Sequence, residues 1–233
     1  MRFGYSDYVQ TRFPERVSGG LVAGDIRPDA DVNEITKAMM AQATARLSEG
    51  AESSFAEIQA WRGAFRTMGL KPTQYRCASE ALLRRFRKEA TLPSIHPLID
   101  LCNAASLAFA IPVAVFDLDR VEGDLSVRQA DGTERYHSFS GDTEVPEPGE
   151  IIFADAKGNA HARRWSNRQS RLSAISPDTR RALIMAEALH DTAQADITRL
   201  VATLDAALVK GFGTKPKTAT LTAPDAVFVV DPA

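Results

Sequence analysis

The chain is short of the residues that announce chemistry. Two cysteines, Cys77 and Cys102, stand among 233 residues, too few for a disulfide framework and too far apart for a Cys-x-x-Cys pair. Four histidines are scattered without ligand spacing, so no structural metal is expected. No Walker-type loop, Gly-x-Gly-x-x-Gly fingerprint, His-Glu-x-x-His pair or Gly-x-Ser-x-Gly elbow occurs. Enzyme classes with short signatures are therefore unsupported, and no cofactor is expected. No stretch is apolar for the length of a membrane span, and the opening MRFGYSDYVQTRFPERV lacks the apolar core of a signal peptide. That composition points to a cytoplasmic protein with no membrane partner. Charge of one sign is also lacking. A net charge of −2 argues against a protein that coats nucleic acid nonspecifically, yet leaves local basic patches open.

What is present divides into helical and strand-like blocks. Leu21–Ile26 reads as a strand. Asp31 with Glu34 starts a helix running to about Leu47, and Ser53 or Ser54 starts another, with Phe55, Ile58, Trp61, Phe65 and Met68 on one face, before Gly69 stops it. Ser79 and Glu80 open a helix whose outer positions Arg84, Arg85, Arg87 and Lys88 form either a solvated face or a phosphate contact. Ser94 and Pro97 announce a helix through Phe109, which runs almost without a loop into an apolar strand over 111–118. Asp100 and Asn103 share a face of that helix. An asparagine in mid-helix competes for backbone hydrogen bonds, so it serves as a structural tie or as a ligand contact, the tie being the plainer reading.

Strands follow at Leu125–Gln129, at Thr133–Phe139 through an Asp131-Gly132 hairpin, at Ile151–Asp155 and at Ala160–Trp165. The segment Arg163–Arg171 carries four arginines and Trp165. It reads equally as a polar hairpin end or as a surface that stacks bases and grips phosphates. Ser176-Pro177 predicts a helix to about His190, and Thr192 begins or continues another through Val209. Residues 1–210 are expected to form one domain. Residues 211–233 are expected as a linker and short tail, in which 226–230 adds a last strand or stays disordered. Strands in the middle and helices on both sides make the fold class α+β.

The order LIDLCN (98–103), IPVAVFDLDRVEGDLSVRQADG (111–132), EPGEIIFAD (147–155) and RRWSNRQS (163–170) resembles the tRNA-editing domain in the beta subunit of bacterial phenylalanyl-tRNA synthetase. It is most similar to the freestanding relatives of that domain, and the resemblance covers roughly Trp61 to Arg181. It implies a mixed sheet with helices packed on it. It also implies a protein that binds tRNA or aminoacyl-tRNA and hydrolyses a mischarged ester in trans, with no oligomeric state assigned. Asp100 and Asn103 match the family's Asp-x-x-Asn, and Phe116 and Asp117 its aromatic-Asp pair. Arg168, Ser170, Ser79 and Glu80 are expected beside Asn103 at the substrate pocket, and Arg84, Arg85, Arg163, Arg164 and Trp165 at the RNA. Two departures stand out. Ala114 occupies the family's histidine position, and Trp165–Ser170 replaces its glycine-rich stretch, so tyrosine specificity and histidine-dependent catalysis do not carry over. No residue is assigned as catalytic. A noncatalytic tRNA- or RNA-binding module and a small-molecule binder that kept the pocket are the alternatives.

Overall fold

Pro97 occupies the first helical position it favours, but the cap is His96 rather than Ser94: the His96 Nδ1 accepts from the Leu98 amide at 3.1 Å. This helix ends at Ala110 in the left-handed conformation, φ 56°, and the chain passes directly into a strand. A computed structural model describes residues 1–224 and 226–231 in this way. In chain order the elements are β1 (Arg2–Tyr5), α1 (Asp7–Arg12), β2 (Val17–Ala23), α2 (Asn33–Glu49), α3 (Ala56–Thr67), α4 (Ala78–Glu89), α5 (Pro97–Phe109), β3 (Val113–Asp117), β4 (Leu125–Gln129), β5 (Arg135–His137), β6 (Thr143–Glu144), β7 (Ile151–Asp155), β8 (Asn159–Arg163), β9 (Arg168–Gln169), β10 (Ala182–Ala188), α6 (Ala193–Phe212), β11 (Lys217–Thr222) and β12 (Val227–Val229).

Two mixed-order sheets carry the architecture, and the fold class is α+β as expected. The larger runs β12-β1-β4-β7-β8-β5-β6, with β9 paired to β8; the smaller runs β11-β2-β10-β3. Within the larger sheet β1 is parallel to β4 and β5 to β8, while β4, β7 and β8 are mutually antiparallel in that order. The smaller sheet is antiparallel throughout. One face of β10 (Ala182, Ile184, Ala186, Ala188) shares a buried cluster with Leu101 and Ala105 of α5 and with Ile197, Leu200 and Leu204 of α6. The other face (Leu183, Met185) joins the cluster containing Phe3, Leu125 and Phe153 of the larger sheet.

Three expectations are corrected. The segment 182–188, expected within a helix, is the central strand β10: ALIMAEA consists of good helix formers, but all seven residues are buried between β2 and β3. Tertiary burial overrides propensity here, and a strand covered on both faces shows no polar alternation. The Asp131-Gly132 hairpin does not form. Gly132 does turn the chain, at φ 88°, and the Glu134 carboxylate accepts from the Asp131 and Gly132 amides. The turn leads β5 onto β8 and gives β7 to β4 instead. The described residues after 210 pair into the sheets rather than forming a linker: β11 lies along β2, and β12 along β1 is the last strand expected over 226–230, with Ala226, Phe228 and Val230 buried.

Close approach to β2 depends on its glycines. A Cβ at Gly19 would lie 2.4 Å from Val201 Cγ2 of α6, and one at Gly20 would lie 2.7 Å from Phe228 Cδ1. Among the described residues no helix is long and apolar enough to cross a membrane.

Candidate functional site

Antiparallel register places Ala114 of β3 opposite Met185 of β10. Glu187 lies two residues farther along β10 and so on the same face. The connection between β8 and β9 closes over that face. Together with Phe153 and Ala162 these elements line a partly open pocket of about 50 Å³, with Ser166, Asn167, Arg168 and Gln169 also in its lining. Its walls are mainly apolar, and among the described residues Glu187 is the one carboxyl group that lines it.

The connection is bent through two successive left-handed residues, Arg164 at φ 47° and Trp165 at φ 58°. Such a conformation is unusual for side chains of this size and persists only where the surroundings enforce it. Here the Arg164 amide donates to Glu150 Oε1 at 3.0 Å and the Trp165 amide to the Ile151 carbonyl at 2.6 Å. The indole of Trp165 is fully buried, edge-on to Phe13 and Trp61 at 4.9 and 5.0 Å between ring centroids. Its Nε1 donates to Glu187 Oε1 at 2.9 Å, and Tyr5 Oη donates to the same oxygen at 2.7 Å. Burial raises the Glu187 carboxyl above its ordinary range, against the pull of these two donors and of Arg16.

The residues expected from the sequence fall in several places. Arg168 lines the cavity rim, its guanidinium held by Glu144. Asp100 and Asn103 line a different hollow of about 150 Å³ against Asn33 and Thr36 of α2. There Asp100 accepts from the Ser94 hydroxyl at 2.5 Å and from the Ile95 amide at 2.9 Å. The two hollows share no lining residue. Phe116 lies in the core against Phe153. Asp117 accepts from the Thr179 hydroxyl and the Asp119 amide. Ser79 is buried beside Cys77, Glu80 is buried under Arg62, and Ser170 donates to the His137 carbonyl.

The residues expected at RNA divide the same way. Arg84 pairs with Glu52, and Arg85 with Glu89 on its own helix. Arg163 is buried and gripped by Glu150 and Glu144, while Arg164 lies over the Tyr75 ring at 4.7 Å. The stacking role expected for Trp165 is corrected by its burial: an indole with no exposed surface presents no face to a base. Two exposed arginines, one of them at the end of the arginine-rich segment and the other outside it, do border a cleft that Asp117 also lines. Two residues beyond Gln169, Arg171 borders an open cleft of about 380 Å³ with Arg120 and His137. Neither arginine has a carboxylate partner among the described residues.

Two other constellations escape sequence pattern altogether. Asp155, His161 and Ser173 are hydrogen-bonded in series, at 3.1 Å from His161 Nε2 to Asp155 Oδ2 and 2.8 Å from His161 Nδ1 to Ser173 Oγ. They have the order of a hydrolase triad, but all three are buried and none lines the cavity or the arginine cleft, so the trio ties β7, β8 and the following loop together. Glu57, His190 and Asp196 bring ligand atoms within 4.8 Å of one another. Arg46 already holds Glu57, and Arg199 holds Asp196. The carboxylates thus have their counter-charges, which is the chemistry of an ion-pair network rather than of a cation site.

A family model described as the B3/4 domain matches residues 60–206. The phenylalanine–tRNA ligase beta subunit of Shewanella oneidensis is 26% identical over 110 residues, covering 47% of this chain and 14% of that protein. The same subunit of Fusobacterium nucleatum is 31% identical over 64 residues, covering 28% of this chain and 8% of that protein. This chain thus spans a small part of the length of these relatives. An N-terminal fragment of the phenylalanyl-tRNA synthetase beta subunit from Pyrococcus horikoshii has the same fold, with a TM-score of 0.51 at 11% identity over 96% of this chain and 54% of that one.

Proposed function

The chain belongs to the B3/4 domain family, and from that premise we propose that it binds aminoacylated tRNA and hydrolyses the ester of a mischarged tRNA in trans. Support comes from the partly open cavity walled by Ala114, Met185, Glu187 and the β8–β9 connection, inside the matched region. A cavity of about 50 Å³ has room for roughly a few water molecules or a small acyl group. The cleft bordered by Arg120 and Arg171, together with Asp117 and His137, offers two cations of the kind that hold phosphates. Hydrolysis of an aminoacyl ester needs a positioned water and stabilisation of the developing oxyanion, and the adjacent ribose hydroxyl of the substrate can assist.

The relatives' names speak of a tRNA ligase subunit, and their wider activity is not carried over. To test the reading, the protein is incubated with tRNAs mischarged with alanine, serine or tyrosine, and release of label is followed together with filter binding at several salt concentrations. Release from at least one of them supports it. Salt-dependent binding without release selects a noncatalytic tRNA-binding module, and neither binding nor release selects a small-molecule binder.

A further inference from the structure

Glu187 sits at the end of a one-way chain of donors. Arg16 Nη1 donates to Ser18 Oγ at 2.6 Å, Ser18 Oγ lies 2.7 Å from Tyr5 Oη, and Tyr5 Oη donates onward to Glu187 Oε1. Because the tyrosine proton is committed to the carboxyl, the serine proton must point to the tyrosine. Trp165 Nε1 adds a second bond to that same Oε1. Among the described residues all the side-chain anchoring therefore falls on one oxygen, and the other is left to the cavity that the side chain lines.

Among the described residues no other side chain lining the cavity is a carboxylate or an imidazole. At the neighbouring position on β3 stands Ala114, which has no proton acceptor. The titratable and charged groups that face Glu187 are Tyr5 from β1, Arg16 from the segment before β2, and Arg168 across the cavity from β9. Arg168 is engaged by Glu144. Arg16 is fully buried, with its guanidinium carbon 3.4 Å from the centre of the Tyr5 ring and with Nε and Nη2 unpartnered. A carboxyl in an apolar pocket, oriented through one oxygen and open through the other, is the arrangement that general-base chemistry uses.

We propose that Glu187 is the general base for the hydrolytic water in this cavity, an inference that rests on reading the protein as an aminoacyl-ester hydrolase. The water oxygen attacks the acyl carbon while its proton passes to the free oxygen of Glu187, and the carbonyl π pair moves onto its oxygen. The tetrahedral intermediate then collapses. The bond from the acyl carbon to the ribose oxygen breaks, and that oxygen takes the proton back from Glu187. Water is the only co-reactant, and the products are the free amino acid and tRNA with its terminal hydroxyl restored. Ser18, Tyr5 and Trp165 are positioning residues, and the Tyr5 and Trp165 donors favour the ionised carboxyl, offsetting part of the larger upward push of burial.

The test is single-turnover deacylation of alanyl-, seryl- and tyrosyl-tRNA from pH 5 to pH 9, with tRNA binding measured in parallel, for the wild type, Glu187→Gln and Tyr5→Phe. The expected wild-type rate falls as pH drops, with a midpoint above that of an ordinary carboxylate. Glu187→Gln is expected to lower the rate about 100-fold or more and to abolish the acid limb, with tRNA binding unchanged. Tyr5→Phe keeps the carboxyl but removes a donor to its ionised form, so the midpoint moves to higher pH. That shift is readable even if the glutamine variant folds poorly, and a merely structural role would not produce it. Wild-type rates in Glu187→Gln, or an unmoved midpoint in Tyr5→Phe, overturn the inference and leave the hydrolase reading standing. Binding without release by the wild type overturns both.

Discussion

The indole Nε1 of Trp165 lies 2.9 Å from Glu187 Oε1, so a residue that reads in the sequence as a surface aromatic is a wall of the cavity and an anchor for its one carboxyl group. Replacing Trp165 by alanine removes a fully buried indole and is expected to cost about 3–5 kcal/mol. Trp165→Phe retains most of the packing and loses the donor, for about 1–3 kcal/mol. Chemical denaturation of both variants checks the order. Wild-type stability in Trp165→Phe would mean that the hydrogen bond contributes nothing.

Close contact between β2 and α6 leads to a second expectation. At Gly19 the added Cβ of alanine would meet Val201 Cγ2 at 2.4 Å and Ile197 Cγ2 at 3.1 Å, so the helix must retreat. Gly19→Ala is expected to lose about 1–3 kcal/mol, whereas alanine at Gly24, whose Cβ would meet nothing within 4 Å, is tolerated. Melting temperatures of the two variants compare them directly.

Acid should unfold the protein through two buried carboxylates. Burial pushes Asp155 and Asp196 up, but hydrogen bonds win: His161 and Asn159 hold Asp155 well below the usual carboxylate range, and Thr192, His190 and Arg199 hold Asp196 at about 2. A folded-state pKa below the unfolded one contributes stability that is present above the unfolded value, about 3.9 for aspartate. It is lost as pH falls through the folded value. Denaturant midpoints should therefore drop steeply below about pH 4, and Asp155→Asn should flatten that drop. A variant with the wild-type acid profile would contradict the assignment.

Two groups of arginines should separate cleanly. Arg163 is buried between Glu150 and Glu144, so Arg163→Ala strands carboxylates and is expected to cost about 3–5 kcal/mol of stability. Arg120→Ala and Arg171→Ala are expected to leave the melting temperature alone and to weaken tRNA binding. Each removes one cation that can neutralise a phosphate, so each should reduce the salt slope by about one. Filter binding across a salt series, beside thermal denaturation, reads both effects.

Local signals carried much of the fold. Leu125–Gln129 and Ile151–Asp155 are strands at the expected bounds, and Pro97–Phe109 is the helix that its proline and apolar run announce. Legibility failed where burial hid the period. The strand ALIMAEA has no polar face to alternate, so it reads as helix, and with it Glu187 falls on a helix with nothing to mark it. The Arg163–Arg171 segment fails differently. Composition shows four arginines and an indole, but only long-range pairing shows that Arg163 is spent on Glu144 and Glu150, from 19 and 13 residues away, and that Trp165 points inward. Asn103 and Asp100 do share a helical face beside a hollow, though it is not the one that holds Glu187.

Ala114 offers the most direct test of the central claim that the aminoacyl group enters the cavity it lines. In Ala114→Phe the ring fills a space of about 50 Å³, while the exposed Arg120 and Arg171 remain in place. The rate at which labelled amino acid is released from mischarged tRNA is then measured beside tRNA binding. Ala114→Phe is expected to bind tRNA as the wild type does and to release no label. Release at the wild-type rate from that variant would contradict it.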